Sequence, residues 1–302
     1  MIRIGSRGSQ LALWQSYYIG RLIHAQGHEV DIQVIRTTGD RMQEATFAEV
    51  GTKGMFTLEI EEALEAGRVD MAVHSLKDLP TELPPQFAIG ATPKRVDPRD
   101  VLVSRDFASL EELPAGARVG TSSLRRRAQL RHLRADLEFI EFRGNVDTRL
   151  RKLDEGQAEA IILAAAGLDR LGKTEWIRER LEPEVVCPAA GQGALGIEIR
   201  AGDEKTSAVV AFLDDAETRF ATTAERTALA ALGGGCQVPI GVYCRPCTIG
   251  EFEIFGVVAD PDGSRVLRSR ALGEDAMALG RAVAADLLKQ GAAELFEGIG
   301  TH

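Results

Sequence analysis

The sequence predicts an α/β protein of two strand-and-helix units, followed by a small C-terminal α+β portion with an antiparallel sheet. Three observations carry that expectation. Through the first two thirds, apolar runs of four or five residues alternate with stretches of helical periodicity, the pattern of parallel strands covered by helices. A polar stretch at 92–99, bracketed by Pro93 and Pro98, splits the alternation in two. After Asp214 a long helical stretch ends in Gly233-Gly234-Gly235, and three strand candidates follow, with Pro261-Asp262-Gly263 as a hairpin turn.

The first unit opens with a strand at 2–5. Ser9 is the N-cap of a helix carrying Leu11, Trp14, Tyr18 and Leu22, which stops at Gly27. A strand at 30–36, a helix at 57–66 closed by Gly67, and a strand at 71–75 complete it. In the second unit, strands are expected at 101–104, 118–120, 137–142 and 160–164, with helices after Ser123 and over 146–155. Gly191-Gln192-Gly193 reads as a crossover into a strand at 195–200. The C-terminal portion has a helix at 216–232, strands at 241–245, 252–259 and 266–272, and a helix at 276–290.

Composition narrows the function classes. A chain of 302 residues with 44% apolar and 27% charged residues can bury a core in each of two or three domains. Its strongest apolar stretch, 160–168, is too short to cross a bilayer. The strand at the N-terminus leaves no apolar signal region, which makes the cytosol the expected location. The net charge of −9 argues against nucleic acid as a partner, because such binding rests on many phosphate-neutralising side chains. Four cysteines in a chain of this length do not form a disulfide framework. Cys244 and Cys247 make one Cys-x-x-Cys pair with no second pair or nearby histidine, so no metal site is expected.

Against this acidic background, residues 118–152 carry ten Lys and Arg residues and four acids, about +6. Nine of the ten are arginine, whose planar fork grips carboxylates and phosphates by two points. Gly120-Thr121-Ser122-Ser123 precedes Arg125 and Arg126, and Arg143-Gly144-Asn145 precedes a helix with Arg149. Small residues opening a helix beside arginines offer free N–H groups, a dipole end and fixed charge to an anion. The other reading is a solvated helix face.

Chemistry-bearing candidates stand elsewhere. Lys77 and Asp78 follow the strand at 71–75, at the strand end where α/β sheets bind ligands; Asp78 could instead cap the next turn. His74 reads as a packed histidine satisfied by the backbone. Arg7 and Ser9 lie on the first strand-to-helix turn. Cys236, directly after three glycines, is an accessible thiol or a small buried residue in a tight turn. Gly51 to Phe56 reads as a lid loop or as an inert excursion.

Seven stretches, in order, carry a resemblance. They are Arg3-Ile4-Gly5-Ser6-Arg7-Gly8-Ser9, His74-Ser75-Leu76-Lys77-Asp78-Leu79-Pro80, Gly120-Thr121-Ser122-Ser123-Leu124-Arg125-Arg126 and Arg143-Gly144-Asn145-Val146-Asp147-Thr148-Arg149. Ala166-Gly167-Leu168-Asp169-Arg170, Pro188-Ala189-Ala190-Gly191-Gln192-Gly193 and Gly235-Cys236-Gln237-Val238-Pro239-Ile240-Gly241 complete the set. Together they resemble the porphobilinogen deaminase (hydroxymethylbilane synthase) family over almost the whole chain.

The resemblance implies two domains like the halves of a type II periplasmic binding protein, at 1–96 with 192–213 and at 97–191, and a third domain at 214–302. It implies a monomer, porphobilinogen as substrate, and a dipyrromethane cofactor on the Cys236 thiol. It further implies head-to-tail addition of four porphobilinogen units with loss of ammonia, then hydrolytic release of the linear tetrapyrrole. Position by position, Asp78 becomes the catalytic carboxylate. Lys77, Ser123, Arg125, Arg126 and Gly144 become cofactor contacts; Arg7, Ser9, Arg143, Arg149 and Arg170 become substrate contacts. Lys53 and Phe56 fall in the lid, and Gln192 at a hinge. The lid departs from the family pattern, with Glu49 and Leu58 where lysines are expected. A non-catalytic anion-binding module of the periplasmic type is the rival reading.

Overall fold

The computed structural model describes residues 1–37, 57–234 and 238–297. The chain divides into two compact units, Met1–Val96 with Gly193–Arg219, and Asp97–Gln192 with Phe220–His302.

In chain order the strands are β1 (Ile2–Ser6), β2 (Val30–Val34), β3 (Met71–Ser75), β4 (Phe87–Ala91), β5 (Asp100–Ser104), β6 (Arg118–Gly120), β7 (Glu138–Ile140), β8 (Ala160–Ala164), β9 (Ile177–Leu181), β10 (Leu195–Arg200), β11 (Ile240–Thr248), β12 (Glu251–Ala259) and β13 (Val266–Gly273). The first unit holds a five-stranded sheet in the order β2-β1-β3-β10-β4, and the second holds one in the order β7-β6-β8-β5-β9. Both follow one plan: second local strand, first, third, a strand from a crossover, then the fourth. The two units thus repeat one sheet topology.

Wholly parallel sheets, the expectation from the strand–helix alternation, are corrected. β1 runs parallel to β2 and β3, and β6 parallel to β7 and β8. β10 is antiparallel to β3 and β4, and β5 is antiparallel to β8 and β9. Each is the first strand formed after the chain passes from one unit to the other, so no local strand–helix–strand step sets its direction.

The local sequence accounts for the elements. Helix Gln10–Ala25 is capped by Ser9, whose hydroxyl accepts from the Ala12 N–H at 3.3 Å. It buries Ile19 and Ile23 against Ile4, Met71 and Ile197 of the sheet. Full burial of such side chains contributes about 1.5–3 kcal/mol each. In the second unit, β8 lies between β6 and β5 with four of its five residues buried, hence its unbroken apolar run. Gly120 closes β6 because a Cβ there would stand 2.6 Å from Phe142.

From Phe220 onward the second unit adds an antiparallel meander, β11-β12-β13. Its core joins Ala224 and Ala228 of helix Ala216–Ala231, Val242, Ile254 and Val258 of the sheet, and Val283 and Leu287 of helix Ala276–Lys289. No helix among the described residues is long and apolar enough to cross a membrane.

Candidate functional site

In the first unit the strand ends gather polar groups around one depression, lined by Arg7, Ser9, Gln15, Thr57, His74, Ser75 and Asp78 with Leu11, Ala12 and Val73. Arg7 and Ser9 come from the turn between β1 and helix Gln10–Ala25, and Gln15 from the helix itself. The Gln15 amide donates to Ser75 Oγ at 2.9 Å, tying that helix to the end of β3.

Lys77 and Asp78 sit on a single 3-10 turn, Leu76–Asp78, that leaves β3. Leu76 and Leu79 on either side are buried and pack with Ala194, and the Leu76 N–H donates to the Ala194 carbonyl at 3.0 Å. The two anchors hold the turn while Lys77 is half-buried and Asp78 exposed. His74 is indeed packed, but its partner is a carboxylate rather than the backbone: Nε2 lies 2.8 Å from Glu198 Oε2 on β10. Register explains the pairing: Gly196 faces His74 and Glu198 faces Ala72, which makes His74 and Glu198 diagonal neighbours on one face of the sheet.

In the second unit the basic run separates into two groups. Arg118 pairs with Glu159, Arg134 with Asp136, Arg143 with Glu141 and Arg151 with Glu155. Arg131 lies over the Phe139 ring at 5.5 Å. Arg125 and Arg126 instead turn inward from the first turn of helix Leu124–Leu133, which Ser123 caps. Both are buried, and both meet Asp100 at the start of β5.

Arg125 Nη1 donates to Asp100 Oδ2 at 2.6 Å and to the Cys187 carbonyl at 2.7 Å. Arg126 donates to Asp100 Oδ1 from Nε at 3.0 Å and Nη2 at 2.7 Å, and to the Ile162 carbonyl from Nη1. Burial alone would push the Asp100 carboxyl up. The charges of Arg125 and Arg126, with their hydrogen bonds, outweigh it and hold Asp100 far below the usual carboxylate range. Gln192 joins the same carboxylate, its Nε2 donating to Asp100 Oδ1 at 2.9 Å and to the Pro98 carbonyl at 2.7 Å.

Arg149, half-buried on helix Val146–Asp154, is pulled down to about 10 by burial and then by the charge of Arg126. Its Nε donates to the Gly144 carbonyl at 2.8 Å. Gly144 has φ +118, where a Cβ would meet Thr148 at 2.8 Å or closer, so only glycine fits. Arg170 is buried on helix Ala165–Leu171.

Arg125 and Arg126 thus share one buried carboxylate, Asp100, and Arg149 feels the charge of Arg126. Fixed guanidinium forks with charge to spare suit a ligand that carries several carboxylates. Cys236, Lys53 and Phe56 lie outside the described residues. Of the other cysteines, Cys187 and Cys244 are buried and Cys247 is exposed. Burial pushes the Cys187 thiol up to about 12, which leaves it un-ionised at neutral pH.

Asp100 and Glu198 are the residues that the sequence reading missed. Each is an acid inside an otherwise apolar strand, Asp100-Val101-Leu102-Val103 and Leu195-Gly196-Ile197-Glu198-Ile199. That is a usable signal, since a buried carboxylate needs a partner.

Residues 2–208 match the family model described as porphobilinogen deaminase, dipyromethane cofactor binding domain, and residues 220–289 match the porphobilinogen deaminase C-terminal domain. The second match begins where the chain re-enters the second unit. Porphobilinogen deaminase of Brevibacillus brevis is 50% identical over 295 residues, covering 97% of this chain and 96% of its own. The Roseiflexus sp. protein of that name is 50% identical with 98% of each covered, and that of Chromobacterium violaceum 49% with 99% and 97%. Among solved structures, the methionine binding protein MetQ is 13% identical with a TM-score of 0.45, covering 70% of this chain and 88% of its own. The chain belongs to the porphobilinogen deaminase family.

Proposed function

We propose that this protein is a hydroxymethylbilane synthase, a cytoplasmic, monomeric transferase that condenses four porphobilinogen molecules head to tail, releases ammonia at each step and frees the linear tetrapyrrole by hydrolysis. Its three domains would be residues 1–96 with 192–213, 97–191 and 214–302. The observation that carries the reading is the buried Arg125–Arg126 pair, whose charge exceeds that of Asp100, in a chain half identical to porphobilinogen deaminases.

A dipyrromethane on the Cys236 thiol would supply the pyrrole terminus on which the chain grows. Arg125, Arg126, Ser123, Gly144 and Lys77 would hold its acid groups, and Arg7, Ser9, Arg143, Arg149 and Arg170 those of the substrate. Each porphobilinogen brings an acetate and a propionate. Charge-assisted hydrogen bonds contribute roughly 1.5–3 kcal/mol apiece, so a distributed set of arginines matches the ligand. Asp78, exposed beside the depression of the first unit, would face the pyrrole N–H groups. There its negative charge would stabilise the positive charge that develops as ammonia leaves and as rings couple. Lys53 and Phe56 would belong to a lid and Gln192 to a hinge.

Intact-mass measurement tests the reading. Protein purified from cells that make porphobilinogen should carry a covalent dipyrromethane adduct, absent from Cys236→Ser. An unmodified wild-type protein would overturn the assignment and favour a non-catalytic anion-binding module.

A further inference from the structure

Asp100 opens β5 with no exposed surface, and its two oxygens are shared unequally. Oδ2 accepts from Arg125, whereas Oδ1 accepts from both Nε and Nη2 of Arg126 and from Gln192. The arrangement is costly in two respects. A buried ion cluster contributes little net stability over well-packed apolar groups. Arginines in the first turn of a helix also stand at the positive end of its dipole. Orientation is what this geometry achieves. Arg126 is gripped along its Nε–Nη2 edge, and Arg125 is pinned by Nη1 between Asp100 and the Cys187 carbonyl. The pair spends five N–H donors on these acceptors, out of five on each guanidinium. The rest remain for an incoming acid group. Gln192 adds no charge but fixes Oδ1 from the Pro98 side.

We propose that Asp100 is a positioning residue for acid recognition: it sets the planes of Arg125 and Arg126 so that their remaining donors meet a pyrrole carboxylate, and Gln192 sets Asp100 in turn. This inference rests on the function proposed above.

The test is the rate at which apoprotein acquires its covalent adduct from porphobilinogen, followed by intact mass, with a thermal melt of each variant. Asp100→Glu keeps the charge and moves the carboxylate by one methylene. It should melt near wild type yet load about tenfold more slowly, the loss expected when one charge-assisted contact is misaligned. Asp100→Glu loading at the wild-type rate overturns the inference, because a purely structural counter-ion would change melting and leave loading untouched. Where Asp100→Glu does not fold, Gln192→Met decides, since both ion pairs survive in it: slower loading is expected, and the wild-type rate overturns the inference. Wild-type apoprotein that takes up no adduct removes the functional reading and this inference together, whereas a loading wild type isolates the inference.

Discussion

His74 and Glu198 form a buried pair across β3 and β10, Nε2 to Oε2 at 2.8 Å, with the Glu198 side chain wholly enclosed. The charge of Glu198 reaches further: the nearby Glu61 carboxyl is pushed up, chiefly by burial, with Glu198 adding to it. His74 lines the same depression as Asp78. Glu198→Ala should lower stability by about 3 kcal/mol, since it leaves a buried imidazole without its acceptor and opens a cavity. Urea unfolding checks this, and Glu198→Gln should cost less. A wild-type midpoint for Glu198→Ala would refute the pairing's structural role.

Asp78→Asn removes the carboxylate charge and preserves the side chain's shape. It should keep the attached cofactor, seen by intact mass, while turnover falls by about a hundredfold or more, as when a charge-stabilising group is lost. Near-normal consumption of porphobilinogen would show that Asp78 does not carry the chemistry.

Thiol accessibility separates the cysteines. In a Cys236→Ser background, native protein treated with iodoacetamide should gain one adduct, at the exposed Cys247. Cys187, with its thiol pushed up to about 12 by burial, and buried Cys244 should react only after unfolding. Rapid modification of Cys187 in the native state would contradict the packing of the second unit.

The Arg125–Asp100–Arg126 cluster predicts an acid limb of stability. A carboxyl whose folded value is depressed contributes stability above its unfolded value, about 3.9, and loses it as pH falls towards the folded value. Asp100→Asn should therefore melt below wild type at neutral pH, by the equivalent of about 3–5 kcal/mol for a broken buried pair. The gap should narrow once pH drops below about 4. Melting curves from neutral to acid pH check this; a gap that holds constant across the range would sink it.

Much of the fold was legible because its signals are local. Alternating strand and helix periods, the Ser9 cap, and the turn at Pro261-Asp262-Gly263 each arise within a few residues. The antiparallel course of β5 and β10 was not legible, because pairing between distant strands leaves no mark on either strand's own pattern. The same limit applied to the basic run. Its sequence shows ten like charges, but Arg118 finds its acid in Glu159, 41 residues along the chain and beyond the run's end.

The sequence by itself determined the element types, the motifs that place the chain in its family, and the residues Asp78, Arg125 and Arg126 as candidates. Only the tertiary structure decided which charges are buried together. Asp100 becomes the shared counter-ion of two arginines because β5 lies beside β8 in the same sheet as β6, the strand that leads into the arginine helix, and Gln192 closes on the same oxygen. Desolvation and charge pairing depend on the segments that fold next to one another, and that neighbourhood is a property of the packed chain rather than of any stretch within it.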